Sequence, residues 1–162
     1  MAKLVVLPKR LEVLEVSDPA CSFRVNIDVL NEAFGIGRSM YAKAVYPDTR
    51  NGVIPGTAPN EKYIIWMPKL YGNNSEWKNV LSEDGTELYE VAEGDRHQDW
   101  IDEEADFSVR RLVFTKKDVK SPYVFSGVFK CGKMEHCNHT FERIATKVRL
   151  IGAPANRIEI VT

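Results

Sequence analysis

Three stretches decide the fold class: Val109-Arg110-Arg111-Leu112-Val113-Phe114-Thr115, Tyr123-Val124-Phe125-Ser126-Gly127-Val128-Phe129-Lys130, and the run from Phe141 to Ile151. Each is rich in β-branched and aromatic residues, as strands are. Between the first two lie Asp118, Ser121 and Pro122, residues that turn a chain. Working outward, Tyr63 to Met67 is an apolar run stopped by Pro68 and suits a buried strand, and Thr86 to Ala92 alternates. Lys3 to Leu7 and Leu11 to Val16 read as two strands parted by Pro8, and Arg157 to Val161 as an edge strand. One helix stands out. Asn26 is its expected N-cap, Ile27, Leu30 and Phe34 share a face, and Gly35 stops it. Gly37 to Tyr46 fits a second short helix or a strand. Pro47 to Asn60 and Tyr71 to Gly85 read as loop and turns, and Glu93 to Asp106 as an acidic loop with a short helix around Trp100. The pattern predicts one α+β domain over residues 1–162, a curved, mostly antiparallel sheet, open or closed as a barrel, with one or two short helices.

Composition narrows the function classes. The chain has 162 residues, 44% hydrophobic and 28% charged, which excludes a disordered chain or a fibre. No apolar run is long enough to span a membrane. Met1-Ala2-Lys3-Leu4 opens no secretion signal, and Cys21, Cys131 and Cys137 make an odd count that argues against a disulfide framework. A reducing cytoplasm is the expected setting. The net charge of −1 conceals segregation. Residues 76–106 hold twelve acids against two bases, and residues 108–149 hold ten bases against three acids. A positive face of that kind suits a polyanion, unless the two segments neutralise each other across the sheet.

Three constellations could carry chemistry. Asp48 with Glu76-Trp77-Lys78 has the letter order of the PD-(D/E)xK nucleases, where two acids hold a divalent metal and the lysine assists water. Here, however, Asn73-Asn74-Ser75 makes the acid part of a turn rather than of a core strand. Cys131, His136, Cys137 and His139 are four zinc-type ligands, but crowded into nine residues they fit a polar hairpin tip better than a tetrahedral site. The third constellation mixes aromatic and basic residues. Trp66, Tyr71, Trp77 and Trp100 lie in the middle third, and Arg110, Arg111, Lys116, Lys117, Arg143 and Lys147 follow. On one continuous strand, Arg143, Lys147 and Arg149 would share a face. Rings stack on bases and cations follow phosphates, so this mixture suits nucleic acid.

Val109 to Val113, Ser121 to Phe129 and Phe141 to Leu150 together resemble the SRA-type, PUA-like modules of modified-DNA readers and of bacterial modification-dependent restriction systems. The resemblance covers about 40 residues, and the family's glycine- and acid-rich pocket motif has no recognisable counterpart between residues 50 and 100. It implies a PUA/SRA-like curved sheet or barrel that binds duplex DNA and flips a base between aromatic side chains. The expected function is therefore a non-catalytic nucleic-acid-binding module, most simply of double-stranded DNA, with no cofactor or metal. Arg110, Arg111, Lys116, Lys117, Arg143 and Lys147 would contact phosphates, and Trp66, Tyr71, Trp77 and Trp100 would line a base pocket. The alternatives are a metal-dependent nuclease using Asp48, Glu76 and Lys78, and a phage-type accessory protein docking through its acidic 83–106 stretch.

Overall fold

A computed structural model describes residues 10–37, 44–46, 53–72, 77–92, 108–135 and 138–162. In chain order its strands are β1 (Val13–Glu15), β2 (Ser22–Phe23), β3 (Val45–Tyr46), β4 (Ile54–Pro55), β5 (Lys62–Trp66), β6 (Trp77–Leu81), β7 (Glu87–Ala92), β8 (Val109–Lys116), β9 (Tyr123–Glu135), β10 (Asn138–Ala145), β11 (Lys147–Ile151) and β12 (Arg157–Ile160). A helix, α1 (Asn26–Asp28), runs on into a π-helical turn, Val29–Ala33.

The strands form two sheets. A nine-stranded one has the path β3-β5-β8-β9-β10-β7-β6, with β2 on β9 and β4 on β5; a three-stranded one has the order β1-β11-β12. Among the described residues every strand pairing is antiparallel except β5 with β8, which run parallel from Lys62↔Val109 to Trp66↔Val113. Register shifts at Val113/Phe114, Thr140/Phe141 and Arg143/Ala145 are β-bulges, and bulges bend a sheet. The sheet is curved and open. Among the described residues β3 and β6 end its path, so the barrel alternative is not realised there. The chain that could have closed it leaves instead, because β11 pairs with β1 and β12 in the smaller sheet.

Alternation along β8 sends Leu112 and Phe114 to one face and Arg111, Val113 and Thr115 to the other. The first face is hydrocarbon. Phe114 is fully buried, with ring centres 5.9 Å from Phe23, 5.9 Å from Phe34 and 5.3 Å from Phe125. Leu14, Val148, Leu150 and Ile158 from the three-stranded sheet and Leu30 and Phe34 from the helical segment complete this core. The opposite face packs Trp66, Leu88, Val113, Phe129, Cys131 and Phe141, and here the buried polar residues Arg111, Glu90 and His139 join the layer.

Several local expectations need correction. The helix starts one residue earlier than expected: Val25 is the extended N-cap, and Asn26 is the first helical residue rather than the cap. Gly35 does end the segment, at φ +69°. Residues 77–81 form strand β6, not a turn, because pairing with β7 supplies the backbone partners that a polar sequence does not advertise. Phe141 to Ile151 is not one strand. It breaks at Thr146 into β10 and β11, which belong to different sheets, so Arg143 does not share a face with Lys147 and Arg149. Lys3 to Leu7 and Glu93 to Asp106 lie outside the described residues.

Candidate nucleic-acid interface

The ten-base segment does not gather as one patch; β8 distributes it. Arg110 and Arg111 are neighbours and therefore face opposite ways. Arg110 donates to Glu61 Oε2 in an ion pair and, at 3.2 Å, to the Tyr63 hydroxyl. Burial pushes the Tyr63 phenol above its usual range, against the pull of Arg110. Glu61 also accepts from the Ala58 amide at 3.1 Å. Arg110 is thus committed inside the protein. Arg111 is 4% exposed, with its guanidinium carbon 4.7 Å from the Trp66 ring centre and 4.5 Å from that of Phe141. A desolvated cation over two rings stabilises by about 2 kcal/mol per ring. Burial raises the Cys131 thiol, while the charge of Arg111 lowers it and that of Glu90 raises it, so all three groups are within electrostatic reach of one another.

Trp66, expected as a base platform, is 3% exposed, and its ring packs on Phe141 at 5.0 Å between centres. Arg143 is half-buried. Its stem crosses Gly127, where an added Cβ would lie 2.5 Å from Arg143 Cδ, so only glycine, here at φ +123°, admits it. The Arg143 amide donates to Thr86 O at 2.9 Å, against the turn that carries Glu83 and Asp84. The turn that carries Glu83 and Asp84 thus lies beside the Arg143 guanidinium, whose Nη1 is 3.1 Å from where a Cβ on Gly85 would stand. Asp84 is held at about 2, well below the usual carboxylate range, chiefly by hydrogen bonds from Thr86 and then Ser82. Lys147 stands opposite Glu15 in the small sheet, and Arg149 pairs with Glu159 at 2.8 Å.

What the fold does bring together lies at the other end of β8. The parallel register continues past Trp66 to a bridge between Lys69 and Lys116. Lys116 N donates to Pro68 O at 3.2 Å, and Leu70 N donates to Lys116 O at 2.8 Å. Lys69 Nζ stands 6.0 Å from the Tyr71 ring centre, and Tyr71 is half-buried. Lys117 and Lys120 are exposed on the β8–β9 turn. Its geometry is fixed by Asp118, which accepts from Lys120 N at 3.0 Å, Ser121 N at 2.8 Å and Ser121 Oγ at 2.8 Å. These bonds, that of the Ser121 hydroxyl foremost, hold the Asp118 carboxyl below its usual range. On the far side, β2 pairs Phe23 with Tyr123 and so sets exposed Arg24 beside the turn. Val119, 74% exposed, is the apolar tip.

Lys116, Lys117 and Tyr71 of the expected set thus lie at the same end of the sheet. Arg24, Lys69 and Lys120 join them; Lys120 shares the turn with Lys117, whereas Arg24 and Lys69 become neighbours of Lys116 only through strand pairing. Of the remaining candidates, Lys78 is exposed on β6, the side chain of Trp77 is not described, and Asp48, Glu76, Trp100, His136 and Cys137 lie outside the described residues. Among the described residues no group of three or more His, Cys, Asp or Glu is arranged to hold a metal ion, and no helix is long and apolar enough to cross a membrane.

A curved, open sheet with five cations and a tyrosine gathered at one end has the form of a small nucleic-acid-binding module. Residues 9–150 match the SRA (SET and RING associated) domain, and the chain belongs to that family, whose members bind DNA and read modified bases. A solved structure with the same fold is the 5-hydroxymethylcytosine-specific restriction enzyme AbaSI, at a TM-score of 0.53 and 20% identity. The match covers 85% of this chain and 39% of that enzyme, so the chain spans about two fifths of its length. No curated protein matches the chain.

Proposed function

We propose that this chain is the reader module of a modification-dependent restriction system, binding double-stranded DNA and holding a flipped, modified base. The observation that supports the reading is the gathering of Lys69, Lys116 and Lys117 at the end of an SRA sheet where Lys69 stands over the Tyr71 ring. The lysines follow phosphates, and Tyr71, rather than the packed Trp66, offers the ring for stacking. Flipping a base costs a few kcal/mol, which stacking and edge hydrogen bonds offset. Cys21 and Cys131 are buried free thiols, which suits a reducing cytoplasm.

The test is fluorescence anisotropy with labelled duplexes carrying cytosine, 5-methylcytosine or 5-hydroxymethylcytosine, from about 50 to 200 mM salt. Binding that weakens steeply with salt and favours a modified duplex is expected. Tyr71→Ala should cost about 1–3 kcal/mol of binding. No binding at the low-salt end defeats the reading, and equal affinity for all three duplexes defeats its modified-base part.

A further inference from the structure

Beside the turn, on the side away from Tyr71, is an open cleft of about 390 Å³. Its lining includes Ser22, Arg24, Lys116, Val119, Lys120 and Ser121. Three of these are cations and two carry hydroxyls. No aromatic ring lines it, so it offers a base nothing to stack on; its chemistry suits an oxyanion. The one acid of the turn, Asp118, spends its carboxylate on the turn's own amides and on the Ser121 hydroxyl. Lys116 is oriented by a bond from Nζ to Ser121 O at 2.5 Å and by the Tyr123 ring, 5.6 Å away. The cleft is therefore shaped before anything binds, which lowers the ordering cost of binding.

We infer that this cleft is the seat of a single phosphate group, held by Arg24, Lys116 and Lys120 with the Ser22 hydroxyl. The inference rests on the reading of the chain as a DNA binder and adds a second grip to it. From β5 to β2 the sheet spans three strand spacings, about 14 Å. That compares with a major groove about 12 Å wide. Arg24 beyond β2 and Lys69 beyond β5, the outer limits of the cluster, thus stand far enough apart to reach different phosphates, with Lys116 between them.

The experiment compares the full chain with Arg24→Ala, Lys120→Ala and the double variant, all at exposed positions. One phosphate contributes about 0.9 to the slope of log affinity against log salt. The double variant should lose about 0.9 in all, so that a fourfold rise in salt weakens its binding about 3.5-fold less than it weakens the parent. An unchanged slope overturns the seat, and so does a loss near 1.8, which means two independent phosphates. A second arm follows backbone amides by NMR during titration with inorganic phosphate or with duplex. Shifts at Ser22, Arg24, Lys120 and Ser121 that vanish in the double variant support the seat. If both ligands cause them the seat takes any phosphate, and if the duplex alone does, its source is the DNA strand. Shifts with neither overturn it. Should the parent bind no DNA, the functional reading fails while the inorganic-phosphate arm still decides the seat.

Discussion

Arg110 and Lys116 sit at opposite ends of the same strand, carry the same charge and have opposite fates. Arg110 is enclosed by Glu61 and Tyr63 and serves the fold. Lys116 stands among Lys69, Lys117, Lys120 and Arg24, near one acid that is occupied by its own turn. Gathering like charges costs stability, whereas an enclosed ion pair costs little beyond desolvation. The difference teaches where to look for a ligand: at the end where, among the described residues, the cations gather around a single acid that its own turn already holds.

The sharpest way to break this contrast is at the paired end. Glu61→Gln leaves the largely enclosed Arg110 without its carboxylate and should cost about 2 kcal/mol, as expected for charge-assisted hydrogen bonds. That lowers Tm by roughly 4–8 °C in a chain of this size, measurable by calorimetry. The salt slope of DNA binding should stay as it was. At the open end the signs reverse. Lys117→Ala should leave stability within about 0.5 kcal/mol, because the residue is exposed, while reducing the salt slope by about 0.9. If Lys117→Ala melts the protein or Glu61→Gln abolishes binding, the two ends have been assigned the wrong way round. The smallest effect is local and depends on pH. The Asp118 carboxyl is held below its ordinary value of 3.8, so its bonds are fully present above that pH and fade as pH falls through the lower folded value. Protection of the Lys120 and Ser121 amides, measured against their intrinsic exchange rates, should therefore fall once the pH drops below the ordinary 3.8, with the amides of β8 unaffected.

Strand identity was legible because β8, β9 and β7 bury one or both faces and write that burial into their residues. β6 was not, since Lys78 and Val80 are exposed and its polar flank looks like a turn. The break at Thr146 was invisible for another reason: neither glycine nor proline marks it, and alternation continues on both sides while the chain changes sheets. The opposed directions of Arg110 and Arg111 follow from period two and could have been read directly. The gathering of cations at the end of β8 could not. Arg24, Lys69 and Lys116 are distant in sequence and become neighbours only through the pairings of β2 with β9 and β5 with β8.

The parallel pairing of β5 with β8 has a consequence for how such a module diversifies. Strands that run the same way finish at the same rim, so the residues following Pro68 and those following Lys116 emerge side by side, away from the hydrocarbon face. Lengthening or rewriting either exit alters what this rim presents while Leu112, Phe114 and their neighbours stay in place. Had the pair been antiparallel, one exit would have opened at the opposite rim, and no insertion there could have cooperated with the β8–β9 turn. The direction of one strand thus makes this rim the part of the molecule on which new specificities can be written.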